Sequence, residues 1–273
     1  MSKEKTKYFG AMMPKIDVRD YRMVAGSISN QILEEEFTLN MPKVKNQGRI
    51  SSCCANALAV VVEYFNKTQN NDKTEMSVGY IYGNRLDSAY KGSGMYLRDA
   101  IAAVCTYGDV YKKTFPHNEE TPSIIEKFEA EYPSLKEVGK PNKLTSYYKL
   151  CRINEIKESL VKNGPVLFAM KWYDDLEVVD GVMRTSQSGQ ISGYHCMLIY
   201  GWNKDGWKIM NSWGRTWGNK GTAILPFNVE LDEVYGVIDT LTNDTKIKKP
   251  FSGVVGNFVA KIINWFLNLF KKA

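Results

Sequence analysis

The 273-residue sequence predicts an α+β fold of two lobes with a cleft between them. A helical lobe covers about residues 45–150 and a β lobe about residues 151–240. Two observations carry this expectation. Before Pro165, apolar residues recur at helical spacing in several segments. After Pro165 the chain becomes short runs rich in β-branched and aromatic residues, broken by Gly and Asn-Lys-Asp-Gly turns. Helices first and antiparallel strands afterwards are the mark of α+β rather than of alternating βαβ units. The 44% hydrophobic content suffices for a real core and excludes fold-level disorder through residues 40–240.

Residues 1–37 form a lead-in without clear periodicity until Gln31 to Phe37, extended or partly helical. Ser52 caps the run CCANALAVVVEYFNK, whose Ala55, Leu58, Ala59, Val62 and Phe65 share a helical face. Further helices are expected at Ser77 to Leu86, Met95 to Tyr107 (stopped by Gly108), Glu119 to Glu131 and Asn154 to Asn163. The runs PVLFAMKWY, YHCMLIYGW, GWKIMNSW, GTAILPF and VYGVIDT read as strands. Asn203-Lys204-Asp205-Gly206 reads as a hairpin turn between two of them.

The net charge of +6 is local rather than global. From Leu241 onward there are six lysines against Asp244 alone, leaving the body nearly neutral. A nucleic-acid binder needs a basic face on its folded domain, so no nucleic-acid partner is expected. Residues 241–273 read as a basic linker followed by an amphipathic helix. Within 251–273, Asn257, Lys261, Asn264, Asn268 and Lys271 form a narrow polar stripe opposite Val254, Phe258, Ile262, Trp265 and Leu269. Such a stripe argues against a membrane-spanning helix. It suits a membrane surface, the protein's own body or a protein partner. The N-terminus has no apolar core of secretory length, and the five cysteines show no CxxC or metal-ligand spacing. The expectation is therefore a cytoplasmic protein, peripheral on the inner face of a membrane if the tail binds there, with no metal and no cofactor.

The chemistry concentrates in NQGRISSCCANA, residues 46–57. Cys53 stands where a loop becomes a helix, and the helix N-terminus favours a thiolate. A nucleophilic thiol needs an imidazole partner, and the chain has only His117 and His195. His117 falls in the loop-like stretch FPHNEETP, whereas His195 lies on a strand in SGYHCML. Asn211, 16 residues beyond His195, offers a carbonyl that can orient the imidazole. Cys54 and Cys196 read as small core residues.

Together, Gln47-Gly48-x4-Cys53, Gly193-x-His195 and Asn211-Ser212-Trp213-Gly214-x-x-Trp217-Gly218 resemble the papain-like cysteine peptidases. The distance from Cys to His and Asn also fits that family. The resemblance covers about residues 38–240 and is strongest to bacterial and viral members with QGxxGSCxANA. It implies a helical left lobe, an antiparallel β-barrel-like right lobe and an active-site cleft between them. It implies Cys53 as nucleophile, His195 as general base and acid, and Asn211 as its orienter. Gln47 would serve the oxyanion hole with the Cys53 N–H, and Trp213 would shield the His–Asn hydrogen bond. The substrate-facing pair would be Gly94-Met95, with Tyr96, Leu97 and Gly193 at a specificity pocket. The chain departs from the family at Ser51 (usually Gly) and Cys54 (usually Trp). It also departs at Ile50 and Gly92, where the family has a disulfide. The implied function is a cysteine endopeptidase acting on proteins or peptides. Two alternatives stand beside it: a binding or scaffolding module of the same fold, or a thiol acyltransferase.

Overall fold

The computed structural model describes residues 7–14, 34–87, 93–116 and 122–239. The expectations for residues 241–273, for His117 and for Gly92 lie outside the described residues.

The first helix, α1 (Cys53–Asn70), is buried on nearly all sides, from Cys53 through Val62 and again at Phe65. A helix this apolar all round belongs in the interior. It packs against the sheet on one side and against α2 (Val78–Gly83) and α3 (Leu97–Tyr107) on the other. Truncating its fully buried Leu58 to Ala would cost about 2–5 kcal/mol. Ser52 is the N-cap residue, but not by its side chain. Its Oγ instead accepts from Asn56 Nδ2 at 3.0 Å. Ser77 does cap α2, accepting from the Tyr80 N–H at 3.1 Å.

The third helix starts at Leu97 rather than Met95, because the Met95 backbone is engaged in strand pairing. α4 (Pro122–Gly139) runs past the predicted end and contains Pro133. α5 (Ile153–Asn163) matches expectation, with Glu155 Oε2 accepting from the Arg152 N–H at 3.1 Å. A small satellite cluster of Tyr80, Val110, Phe115, Phe128 and Leu135 joins α2 to α4. There the Phe128 ring lies 2.3 Å from where a Cβ on Gly83 would stand, so only glycine fits.

Among the described residues the sheet has nine strands: β1 (Phe37–Thr38), β2 (Ser146–Lys149), β3 (Val166–Tyr173), β4 (Glu177–Val179), β5 (Val182–Arg184), β6 (Ile191–Asn203), β7 (Gly206–Met210), β8 (Thr222–Leu225) and β9 (Glu233–Ile238). The order is β2-β9-β3-β6-β7-β8-β5-β4, with β1 added beside β6. All pairs are antiparallel except β5 with β8. The predicted hairpin turn joins β6 to β7, where Asn203 Oδ1 accepts from the Asp205 N–H at 3.0 Å. Glu34 to Phe37, read from the sequence as extended or partly helical, is non-helical and leads into β1. Phe37 stacks on Trp202 with centroids 5.0 Å apart. Two apolar cores result: one around α1, the other on the far side of the sheet around Trp172, Trp202 and Trp207. Among the described residues, no helix is long and apolar enough to cross a membrane.

Candidate active site

Four sequence-predicted residues meet where α1 abuts β6. Cys53 opens α1, His195 sits within β6 opposite Met170 of β3, and Asn211 follows the end of β7. Gln47 arrives on the loop before α1, which is zipped to the loop after β7. Its N–H donates to the Ser212 carbonyl at 2.8 Å, and the Gly214 N–H donates to the Lys45 carbonyl at 3.0 Å. Gly214 has φ +74°, which glycine adopts without strain, and lies tight against Asn46.

His195 Nε2 lies 2.7 Å from Asn211 Oδ1. That oxygen also accepts from the Ser212 N–H at 2.6 Å. An amide oxygen only accepts, so Nε2 carries the proton and Nδ1 presents its lone pair. Nδ1 is buried without a hydrogen-bond partner. Trp213 stacks over the imidazole at 4.5 Å and 29°, and Trp172 meets it edge-on at 5.4 Å. Burial pushes the Cys53 thiol well above its ordinary pKa, and contact with the Cys54 thiol adds to the rise. The neighbouring His195 imidazole pulls the other way.

The cleft is filled by the chain's own residues 7–14, a placement that no sequence periodicity predicts. Ala11 is bridged to both lobes, in parallel sense to Met95 and antiparallel to Tyr194. Met95 N–H donates to the Gly10 carbonyl at 2.8 Å, Met12 N–H to the Met95 carbonyl at 2.9 Å, and Ala11 N–H to the Tyr194 carbonyl at 3.3 Å. The Tyr8 carbonyl accepts from Gln47 Nε2 and from Trp213 Nε1, both at 3.1 Å. Phe9 packs edge-on to His195 with centroids 6.0 Å apart. Cys53 and His195 are consequently wholly shielded. The segment fits because Gly10 has no side chain: a Cβ there would stand 2.2 Å from the Ser51 carbonyl oxygen.

The predicted substrate-facing residues divide. Gly94, Met95 and Gly193 line the segment: Gly94 by the Gly10 carbonyl, Gly193 by the Phe9 ring. Leu97 is instead a fully buried core residue of α3, and Tyr96 is the N-cap residue of that helix. Sequence reasoning missed Tyr8, Phe9, Trp172 and Ser212. Ser212 Oγ donates to Gln47 Oε1, which leaves both Gln47 amide hydrogens for the carbonyls of Ile50 and Tyr8. The only local hint of the segment's path is the small pair Gly10-Ala11 in an otherwise bulky stretch.

Comparison with known proteins places this arrangement. The chain is 27% identical over 198 residues to a cysteine protease of Blomia tropicalis, covering 66% of this chain and 56% of that protein. It is 26% identical over 247 residues to an uncharacterised peptidase C1-like protein of Acanthamoeba polyphaga mimivirus, covering 80% and 77%. The chain thus spans little more than half of the mite relative's length. Among solved structures, xylellain, a cysteine protease from Xylella fastidiosa, shares the fold with a TM-score of 0.71 at 23% identity, covering 85% of this chain and 96% of that one. The sequence profile of the papain family cysteine proteases matches residues 34–237. With three quarters of its length inside that match and the same two-lobe α+β fold, the chain belongs to the papain family of cysteine proteases.

Proposed function

We propose that this chain is a cysteine endopeptidase that works through an acyl-enzyme on Cys53 and is held closed by its own residues 7–14. The observation that carries the reading is the His195 Nε2–Asn211 Oδ1 hydrogen bond at 2.7 Å, with Nδ1 left free on the Cys53 side. With the segment displaced, His195 Nδ1 takes the Cys53 proton and the thiolate attacks the scissile carbonyl carbon. The oxyanion replaces the Tyr8 carbonyl at Gln47 Nε2 and meets the Cys53 N–H, one of the free N–H groups in the first turn of α1. His195 then protonates the departing amine. Water, deprotonated by the same nitrogen, cleaves the thioester.

Iodoacetamide labelling at neutral pH, with the segment removed, tests the nucleophile. Cys53 should react faster than Cys54 and Cys105, both fully or mostly buried thiols. The Cys105 thiol is pushed up to about 12 by burial, with the charge of Asp239 adding to it. Equal rates at the three sites would sink the assignment. Peptide-library digestion, wild type against Cys53→Ala, then separates hydrolysis from transfer: free carboxylate ends mark a peptidase, and ends joined to an added amine mark an acyltransferase.

A further inference from the structure

Asn56 interrupts the apolar run that opens α1. Ala55, Ala57, Leu58 and Ala59 surround it in sequence, and all are buried, as is Asn56 itself at 1% exposure. A carboxamide so placed is costly unless its hydrogen-bonding groups find partners. The donor end does: Nδ2 donates to the Ser52 carbonyl at 2.9 Å and to Ser52 Oγ at 3.0 Å. Those bonds fix which way the amide faces, since turning it over would set Oδ1 against the Ser52 carbonyl. The acceptor end, Oδ1, is buried without a partner among the protein groups.

Asn211 shows the opposite pattern. Its Oδ1 is taken up by His195 Nε2 and the Ser212 N–H, and its Nδ2 is the buried atom without a partner. Asn56 and Asn211 line one small cavity, together with Val60, Met197 and Met210. Among all the side chains lining it, the unpartnered nitrogen and oxygen atoms are these two, one a donor and the other an acceptor. The cavity measures about 10 Å³, the space of one water molecule. Asn56 also stands three residues after Cys53 on α1, so it lies one helical turn behind the nucleophile, on the same face.

We propose that Asn56 is a positioning residue for the catalytic triad, its Oδ1 coupled to Asn211 Nδ2 through one water in this cavity. The water accepts from the Asn211 Nδ2–H and donates to Asn56 Oδ1. An asparagine side chain can offer a neighbour either its oxygen or its NH2 group. The Ser212 N–H reads the oxygen of Asn211, and Asn56 reads the nitrogen. Only one orientation then satisfies every partner, and it is the one that presents Oδ1 to His195. A reversed Asn211 amide would set Nδ2–H against the imidazole N–H, and the tautomer with its lone pair on Nδ1 would lose its support. The inference rests on the proposed function in taking His195 as the base that Asn211 orients.

The test follows protons in the full chain by NMR, so it needs no access to the closed cleft. In wild type, an Asn211 Nδ2–H resonance, assigned by its loss in Asn211→Ala, should show a cross-peak to a bound water. Its absence overturns the proposal without recourse to any variant of Asn56. His195 has His117 as the only other imidazole in the chain, so a His117→Gln background leaves one ring N–H to follow. In that background Asn56→Leu, which keeps the bulk and removes the acceptor, should speed solvent exchange of the His195 Nε2–H several-fold. In Asn211→Ala the same substitution should add nothing, because the path from Asn56 to the imidazole is already cut. An equal acceleration in both backgrounds would assign Asn56 to holding Ser52 and the start of α1 instead. Peptide turnover follows the same cycle: Asn56→Leu should lower kcat several-fold with KM unchanged, and add no loss to Asn211→Ala. The proton readouts do not depend on cleavage. A chain that shows the coupling but digests no peptide would therefore remove the peptidase reading and leave the Asn56–Asn211 link standing.

Discussion

Gln47 is fully committed in this structure, with its carbonyl oxygen held by Ser212 and its two amide hydrogens directed at Ile50 and Tyr8. If Gln47 Nε2 is an oxyanion donor, Gln47→Glu keeps the shape and the Ser212 contact but puts negative charge where the oxyanion forms. Peptide hydrolysis should then fall in kcat by about 10²–10³-fold with KM little changed. A drop in kcat/KM carried by KM alone would assign Gln47 to binding instead. Asp109 is a different kind of residue: wholly buried, with Oδ2 unpartnered. Burial raises its carboxyl well above the usual range, opposed by the Val110 N–H. A raised folded pKa means its stability contribution is complete below the unfolded value of about 3.9 and is lost as pH rises through the folded value. Asp109→Asn should therefore stabilise the protein by about 1–3 kcal/mol near neutral pH, with the gain shrinking toward about pH 4, as read from urea melts at both. At this scale the sequence was most legible. Cys53, His195 and Asn211 stand out by spacing and residue type, because the chemistry demands those groups and the chain has few histidines and cysteines to choose from, whereas Gln47 enters only through the resemblance to papain-like peptidases. Leu97 was misjudged because helix α3 turns it inward, and no neighbour in sequence reports that rotation.

Among elements, α1 was legible and the segment at residues 7–14 was not, for one physical reason. Helical periodicity is written in consecutive residues. A single extended segment pairs with Met95 and Tyr194, more than 80 and 180 residues away, and leaves no local pattern. The same limit hid β2 and the β4–β5 hairpin, although Asp180-Gly181 between β4 and β5 is a strong hairpin dipeptide. The segment makes its own prediction. Gly10→Ala places a methyl group on the Ser51 carbonyl, so the segment must lift. Peptidase turnover by the full chain should rise at least several-fold, and Cys53 alkylation should accelerate with it. In the closed form, burial keeps Cys53 a thiol, so alkylation should demand alkaline pH. In the Gly10→Ala chain the midpoint of rate against pH should move downward. An unmoved midpoint would separate the segment from control of the thiol.

Across the whole molecule, helices to the front and antiparallel strands behind were legible from the change in character after Pro165, and the two cores follow it. What the sequence did not disclose is how the halves are tied together. The loop before α1 pairs with the loop after β7, and residues 7–14 pair with both sides of the cleft. Consecutive-residue patterns carry no information about such contacts, since each depends on backbone groups whose positions are set by everything else. Removing residues 7–14 should for this reason lower the thermal midpoint as well as expose Cys53, because the segment bridges both walls; calorimetry of the full and shortened chains checks it.

Tethering gives the strand between Met95 and Tyr194 a property that no separate inhibitor has. A covalently attached ligand meets its site at an effective concentration on the order of mM, whatever the protein concentration. Dilution therefore cannot open this cleft, and a soluble peptide substrate competes against a rival that is always present. Each 1.4 kcal/mol removed from the segment's grip multiplies the open fraction about tenfold while that fraction is small. A free peptide with the sequence of residues 7–14 should show the converse, silencing the shortened chain only in proportion to the amount added.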